Sequence, residues 1–214
     1  MKTIDELPLF PLNTVMFPDS KIPLHIFEER YKILINECIS RNRSFGINLF
    51  ADEKIYLTGC TSVVDEVKGR SENGEIDIVT RGIERYEIMN YEMSSDGYFT
   101  GTVKFTENSN FITVPGIFEE AVSLYNEIIA IVYKGSIKQI NPDDEKWTSG
   151  KYSVSFLMAE KCGLNLHERQ NLLEISNEDD RLQFILKYFE SVMPKLKDAE
   201  RISTIIMSDG YLSQ

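Results

Sequence analysis

The sequence predicts an α+β fold, in which a β-rich part with one early helix (roughly residues 1–113) precedes a helical part (roughly 114–207). In the first part, apolar residues often alternate with polar ones, which is typical of strands. In the second part they recur every three to four residues, which is typical of helices. Several short strands at close spacing, joined by turn sequences, further predict a small closed or half-closed barrel.

The predicted strands of the first part are short and are bounded by turn residues. The first strand contains Pro8 and is followed by Pro11, and these prolines favour a position at the edge of a sheet. Asn73-Gly74 is a strong signal for a hairpin between two later strands. The predicted strands are residues 7–10, 45–50, 57–67, 75–80, 85–91 and 98–105.

One helix is predicted between the first two strands, because apolar residues there fall on one face of a 3.6-residue period. The residues of this face are Phe27, Tyr31, Leu34, Ile35 and Cys38.

The second part predicts four helices, and the helical period is clearest in the first and the last. Gly135 is a plausible cap of the first, and Asn177 is a good N-cap for the last, with three acidic residues after it. Pro194 is expected to end or kink the last helix. Residues 208–214 are expected to form a flexible tail. The four helices are predicted at about 115–135, 151–162 and 167–174, and from residue 177 onward.

Composition restricts the classes of function. The 214 residues carry a formal net charge of −11, and both halves of the chain are acidic. Nucleic-acid binders need lysine and arginine to neutralise phosphates, so no nucleic-acid partner is expected. An acidic start and the lack of any apolar run near 18 residues predict neither a signal peptide nor a membrane span. Three widely spaced cysteines predict free thiols, and a cytoplasmic protein is expected.

No motif for a nucleotide or a catalytic site is found. The sequence lacks a P-loop, a dinucleotide fingerprint, a nucleophile elbow and a zinc-protease motif. His25 and His167 are the only histidines, and we interpret both as non-catalytic. A Ser–Lys dyad near Ser149 and Lys151 has no support, because nothing indicates a desolvated lysine. We therefore expect no enzymatic activity, no metal and no cofactor.

Three segments carry a resemblance to a known family: LPLFPLNTVMFP at 7–18, IPLHIFEERYKILINECI at 22–39 and FGINLF at 45–50. The first two are similar to the opening of the N-terminal domain family of Lon protease, and the third is similar to its next strand. Gly82-Ile83-Glu84-Arg85-Tyr86 resembles its Gly-x-x-Arg-Phe motif, with tyrosine in the phenylalanine place. Asp19 stands where the family often has a glycine, and Cys60 where it usually has a threonine.

The resemblance implies a PUA-like β-barrel lobe over 1–113, with a helical lobe over 114–207 packed on it. It also implies a stand-alone, non-catalytic module that recognises exposed apolar segments of unfolded or client proteins, with a protease or a chaperone as a further partner. Two alternatives stay open: an RNA-binding PUA-like module, which the acidic charge opposes, and an unrecognised hydrolase.

Four apolar residues are the candidate contacts for such a segment. Phe17, Leu24 and Phe27 flank the first turn and the first helix, and Trp147 stands in a polar loop of the helical part. Exposed apolar grooves commonly recognise such segments, and aromatic residues dominate binding energies. The sequence predicts a groove between the two lobes that contains these side chains. Core packing is the alternative role for each, and Trp147 also suits a role in pinning its loop.

Overall fold

The computed structural model of the chain describes residues 2–107, 109–147 and 149–208. These contain strands β1 (Thr3–Leu12), β2 (Lys21–Ile26), β3 (Phe45–Ala51), β4 (Lys54–Arg70), β5 (Ile76–Met93) and β6 (Phe99–Phe105). They also contain helices α1 (Glu29–Arg41), α2 (Ile117–Tyr133), α3 (Val154–Ala159), α4 (Leu166–Glu174) and α5 (Glu178–Ser208), with one 3₁₀ turn at Glu145–Trp147. The mixed α+β class is confirmed. The predicted tail lies outside the described residues, apart from Ser208.

The chain forms two compact units. Met1–Asn108 and Asn165–Ser176 form the sheet unit, and Ser109–Leu164 and Asn177–Gln214 form the helical unit. Helix α4 therefore belongs with the strands, although the sequence assigns it to the helical part. One reason is a hydrogen bond of 3.1 Å from the Nε2 of Gln170 on α4 to the carbonyl oxygen of Thr58 on β4.

The strands of the sheet unit form a closed cycle of pairings, termed the ring. The order runs β5, β4, β3, β1, β6, and β6 pairs again with β5. This is achieved because the first part of the long strand β5 pairs with β4 and its last part pairs with β6. β1 and β3 are parallel, whereas the other pairs of the ring are antiparallel. β2 pairs with the start of β5, outside the cycle.

Strand β1 is a member of the ring and has a partner on each side, so its predicted place at the edge of a sheet is wrong. It pairs with β6 between Thr3 and Leu9 and with β3 between Leu9 and Leu12. Because these partners are staggered along β1, each half has an open side. A proline nitrogen, which carries no hydrogen, can face that side without losing a ladder bond. Pro8 and Pro11 are tolerated in this way.

The turn between β1 and β2 packs against β5 at Gly82. The Gly82 amide donates to the Ser20 carbonyl, and the Asp19 amide donates to the Gly82 carbonyl, both at 3.0 Å. A Cβ atom at Gly82 would clash with the carbonyl oxygen of Phe17. Asp19 has a φ of 63°, a left-handed conformation that favours glycine and that aspartate tolerates. The departure from glycine at this position is therefore compatible with the turn.

Arg85 ties α4 to the strands. Its side chain is buried, and its Nη1 donates to the carbonyl oxygens of Leu173 and Ile175 at the end of α4, the latter at 2.6 Å. Its Nη2 donates to the carbonyl of Glu107 at 3.3 Å. The cationic side chain suits this position, because the carbonyl groups at a helix C-terminus carry partial negative charge. The Gly-x-x-Arg-Tyr segment thus has a structural role.

Helix α1 closes the ring with one apolar face. Its buried residues are Tyr31, Leu34, Ile35 and Cys38. Phe27, which the sequence placed on the same face, precedes the N-cap residue Glu28 and is 59% exposed. The predicted face is therefore confirmed for four residues and wrong for Phe27.

The helical unit is organised around a buried ion pair on α5. The side chains of Arg181 and Glu178 are fully buried, and Nη2 lies 2.6 Å from Oε2. The hydroxyls of Ser153 and Ser155 donate to the Glu178 carboxylate at 2.8 and 3.0 Å. Arg181 also donates to Asn110 Oδ1 at 2.8 Å. Glu178 lies in the first turn of α5, as the sequence predicts, and its burial with Arg181 adds a structural role there.

Pro194 does not end α5, which continues to Ser208. A proline inside a helix leaves the carbonyl four residues earlier without its N–H partner. That carbonyl belongs to Glu190, and both residues are exposed. Water can therefore satisfy the carbonyl, which lowers the cost of the proline.

All three cysteines are buried free thiols. Burial raises the pKa of Cys38 to about 11 and that of Cys60 to about 12. Both therefore stay protonated and unreactive at neutral pH. None of the helices in the described residues has both the length and the apolar character needed to cross a membrane.

Candidate functional site

A pocket opens at one end of the ring, beside the start of α1, and is termed the mouth pocket. Its volume is about 640 Å³, within the size range of pockets that hold small ligands. Mainly apolar and aromatic side chains line it, with charged residues among them. The lining residues are Phe10, Pro11, Leu12, Glu28, Arg30, Tyr31, Phe50, Glu53, Lys54, Ile55, Tyr91 and Phe99.

A bulge in β5 directs Tyr91 toward this pocket. Ile88 pairs with Val103 of β6, but Asn90 pairs with Thr102, so Met89 is an extra residue on β5. One extra residue exchanges the faces of all side chains that follow. Tyr91 consequently shares a face with Phe99, and their rings meet edge to face at 5.4 Å and 88°.

The mouth pocket combines buried aromatic rings with exposed ones. Phe10 and Tyr31 are 5% and 7% exposed, and their rings stack with centroids 4.0 Å apart. Phe50 and Tyr91 remain 47% and 44% exposed. The first pair is fixed by packing, whereas the second pair offers apolar surface that a ligand can cover.

The hairpin between β3 and β4 forms one wall of the pocket. Asp52 and Glu53, the two residues of its turn, have φ values of 51° and 59°, which is typical of a two-residue type I′ turn. Such turns match the twist of the flanking strands. The wall residues Phe50 and Ile55 are cross-strand partners just before and after the turn.

A buried hydrogen-bond network fixes the register of this hairpin. The pairing of β3 with β4 is interrupted after Asn48. Asn48 compensates through its Nδ2, which donates to the carbonyls of Tyr56 and Leu57 at 3.0 and 3.5 Å. The hydroxyl of Tyr86, a fully buried residue, donates to Asn48 Oδ1. A Cβ at Gly59 would lie 2.8 Å from that hydroxyl, so the network requires glycine there.

Charges at the pocket are present in both signs. The Nε and Nη2 of Arg30 donate to Oε2 of Glu28 at 3.0 and 2.8 Å. The guanidinium lies 4.6 Å from the centre of the Tyr31 ring. Burial raises the pKa of Tyr31, and although Arg30 opposes this rise, the phenol stays protonated at neutral pH. Because Glu53 and Lys54 are also of opposite sign, the pocket has no net charge.

The four predicted contact residues lie outside the mouth pocket. The Phe17 side chain is fully buried under the guanidinium of Arg169, and Trp147 is only 6% exposed. Trp147 Nε1 donates to the carbonyl of Asn141 at 3.1 Å, which pins its loop. Leu24 is half-buried, and Phe27 stacks on His25 with ring centroids 6.0 Å apart. A ligand can reach Phe17 only if the surrounding core opens, whereas the small exposed part of Trp147 lines a separate pocket of about 280 Å³ in the helical unit.

Sequence reasoning missed Phe50, Tyr91 and Phe99. A signal for Tyr91 was present, because the apolar alternation changes phase between Ile88 and Met89. Such a change of phase within a strand indicates a bulge. Phe50 and Phe99 gave no comparable signal, because a strand pattern does not show which end of a ring is open.

Within residues 2–107, 109–147 and 149–208, the contacts of the two histidines and of Ser149 are not those of a hydrolase. His25 Nδ1 lies 2.8 Å from Asp77 Oδ1, and His167 Nδ1 lies 3.2 Å from the Tyr56 hydroxyl. Ser149 donates to the carbonyl of Lys146 at 2.6 Å. Neither histidine is hydrogen-bonded to a serine in these contacts, as a triad requires. Within the described residues, no group of three or more His, Cys, Asp and Glu side chains could hold a metal ion.

Comparison with known protein families identifies the family of this chain. The profile of the ATP-dependent protease La (LON) substrate-binding domain matches residues 6–191. The chain belongs to this family. The description of this family supports a substrate-recognition module that is related to proteolysis.

Relatives in sequence are Lon proteases. That of Dictyoglomus thermophilum is 20% identical over 218 residues, which cover 97% of this chain and 27% of the relative. That of Buchnera aphidicola subsp. Baizongia pistaciae is 22% identical over 224 residues, which cover 98% of this chain and 28% of the relative. The chain thus spans little more than a quarter of these relatives.

Two solved structures share the fold. The Lon N-terminal domain protein from Xanthomonas campestris has a TM-score of 0.67 at 24% identity and covers 88% of this chain and 99% of its own. The N-terminal domain of a Mycobacterium avium complex Lon protease has a TM-score of 0.61 at 16% identity, with 88% and 98% covered. Both support the six-stranded α+β arrangement.

Proposed function

We propose that this chain recognises exposed apolar segments of unfolded proteins and binds them in the mouth pocket. One observation carries the proposal: Phe50 and Tyr91 expose nearly half of their surface around a pocket of about 640 Å³ with an aromatic floor. Burial of apolar surface contributes roughly 25 cal/mol per Å². Covering these two rings is therefore a substantial driving force for binding.

The same physics gives selectivity for unfolded chains. A folded protein hides most of its large apolar side chains in its core, whereas an unfolded chain offers them to a partner. The pocket has no net charge, so it adds no requirement for a charged ligand. The family is described as a substrate-binding domain, and this supports a role in which the chain binds without making or breaking bonds.

The relatives' names suggest the partners. Because they are Lon proteases, we propose that captured segments are passed to a proteolytic machine. We also propose that the ring is the PUA-like barrel that the sequence resemblance implies. The pairing of β5 with both β4 and β6 supports this proposal.

Binding to a permanently unfolded protein tests the proposal. A reduced and alkylated protein is compared with its native form by calorimetry, and only the unfolded form is expected to bind. Phe50→Ser and Tyr91→Ser are each expected to weaken binding about tenfold or more, because buried aromatic contacts dominate interfaces.

Phe27→Ser is the matched control, because Phe27 is 59% exposed but lies outside the pocket. It should leave the affinity unchanged. Equal binding of native and unfolded protein would refute the proposal. An effect of Phe27→Ser together with none from the pocket variants would move the site to the residues predicted from the sequence.

A further inference from the structure

Met93 continues the apolar surface of the mouth pocket along β5. It is the cross-strand partner of Phe99 on β6, and it follows Tyr91 by two positions in a regularly paired stretch. Cross-strand partners project from the same face of a sheet, and so do alternate residues of one strand. Met93 therefore shares its face with Tyr91 and Phe99, which line the pocket.

The Met93 side chain is accessible, although the backbone around it is fixed. It is 53% exposed and is the last residue of β5. The hairpin that follows is closed by a hydrogen bond of 2.8 Å from the Ser94 amide to the Tyr98 carbonyl. The Tyr98 hydroxyl in turn donates to Glu37 of α1 at 3.1 Å. The thioether is therefore held beside the pocket, where a ligand or a small oxidant can reach it.

The other sulfur atoms in the described side chains are buried, except that of Met89. All three cysteines are buried, as are Met16, Met158 and Met193. Met89 is 60% exposed and is the extra residue of the β5 bulge. Its neighbour Ile88 is buried against β1 and β6, in the cluster on which Phe99 packs. Because successive residues of a strand alternate, Met89 projects from the opposite face, which makes it a matched control for Met93.

We infer that Met93 is a further contact for the bound segment, and that oxidation of Met93 to methionine sulfoxide releases this segment. The inference rests on the proposed function and describes the regulation of the same site. A polypeptide that covers Tyr91 also meets Met93, because the two side chains follow each other on one face of β5. The flexible methionine side chain adapts to apolar partners of different shape.

Hydrogen peroxide is the oxidant in this step. The thioether sulfur takes one oxygen atom as the O–O bond breaks, and the second oxygen leaves as water. The sulfur is thereby oxidised and the peroxide is reduced. The product is a polar sulfoxide in place of an apolar side chain. A ligand that covers the sulfoxide must remove its bound water, so the oxidised protein binds an apolar segment more weakly.

Peroxide treatment followed by a binding measurement tests the inference. The protein is treated with hydrogen peroxide, the oxidant is removed, and the oxidation of each methionine is quantified by mass spectrometry. Calorimetry with the reduced and alkylated unfolded protein should then show roughly threefold to tenfold weaker binding, as suits one contact at the border of an interface. Treatment with methionine sulfoxide reductases should restore the original affinity.

Substitutions at the two exposed methionines identify the residue that is responsible. Met93→Leu cannot be oxidised at this position and should have the same affinity before and after peroxide treatment. Met89→Leu should lose affinity on treatment, as the unsubstituted protein does. Met93→Gln introduces a polar side chain of similar length and should weaken binding without any oxidant, whereas Met89→Gln should not.

The outcomes distinguish this inference from the proposed function. If the untreated protein does not bind the unfolded protein, the proposed function falls and the inference falls with it. If the untreated protein binds but Met93→Leu still loses affinity after treatment, or if Met93→Gln binds normally, the inference is overturned while the proposed function stands. The same conclusion follows if peroxide leaves Met93 unmodified.

Discussion

Each unit of the molecule contains one fully buried arginine. The two guanidinium groups have different partners. In the sheet unit, Arg85 donates to main-chain carbonyls of Leu173, Ile175 and Glu107. In the helical unit, Arg181 forms an ion pair with the buried Glu178. The first device joins a helix end to a strand through neutral acceptors. The second keeps two opposite charges together inside one helix.

This difference determines which buried groups lose their partners when Arg85 or Glu178 is replaced. Loss of Arg85 leaves neutral carbonyls, whereas loss of Glu178 leaves a buried charge. Arginine stays protonated in proteins, although burial lowers the pKa of Arg181 despite the opposing effect of Glu178. We therefore expect the loss of folding stability to be largest when a buried charge remains without its partner. It should be smaller when a charged donor is removed, and smallest when a neutral hydrogen bond is lost.

The largest expected effect comes from Glu178→Gln. It keeps the shape but leaves Arg181 without its countercharge, which costs about 3–5 kcal/mol of stability. Urea denaturation followed by circular dichroism measures this. Glu190→Gln, an exposed position on the same helix, is the control and should change stability by less than about 0.5 kcal/mol. Similar values for both variants would show that the buried pair is unimportant.

Arg85→Met should have the next largest effect, about 2–3 kcal/mol, because hydrogen bonds from a charged donor are lost while no charge remains. Hydrogen exchange should show that the amides of α4 lose protection first. Uniform loss across the sheet unit would contradict a local tie. A cost above that of Glu178→Gln would break the comparison itself.

Tyr86→Phe should cost about 1–2 kcal/mol, because it removes a neutral donor and leaves the buried oxygen of Asn48 without it. Thermal unfolding measures the loss. Tyr98→Phe is a suitable control, because the Tyr98 hydroxyl donates to the partly exposed Glu37 at 3.1 Å. Equal losses in both variants would mean that burial of the network adds nothing.

The smallest expected effect is the contribution of Asp179 to stability at low pH. Burial raises its pKa, but hydrogen bonds from the Thr113 hydroxyl and from the amides of Thr113 and Val114 outweigh this and lower it. A lowered folded-state pKa stabilises the protein above the unfolded pKa, and this stability is lost as the pH falls below about 4. Asp179→Asn should flatten the decline of the melting temperature there. An unchanged pH profile would refute the role of Asp179.

Much of the fold could be predicted, because periodicity reports burial. The Asn73-Gly74 hairpin and the α1 face from Tyr31 to Cys38 follow from local patterns. Strand β2 was missed, because it is short and contains Pro23. The strand spacing predicted a closed or half-closed barrel, but the order of pairing in the ring could not be predicted, since a pattern of strands does not state that β5 pairs with both β4 and β6.

The site was less predictable than the fold. Phe17 and Trp147 are aromatic residues of the kind that often contact ligands, but both are buried. Burial depends on packing from distant segments, such as Arg169 over Phe17. Likewise, Leu173, one of the hydrogen-bond partners of Arg85, lies 88 residues away along the chain. No local pattern encodes such a distance.

The closed cycle of strands has a consequence for biosynthesis. β1 ends at Leu12, but its antiparallel neighbour β6 ends only at Phe105. During synthesis β1 must therefore wait, unpaired on that side, until residues 13–105 have been made. Because unpaired strand edges promote aggregation, this protein, which we propose binds unfolded proteins, itself needs shielding while it is being synthesised.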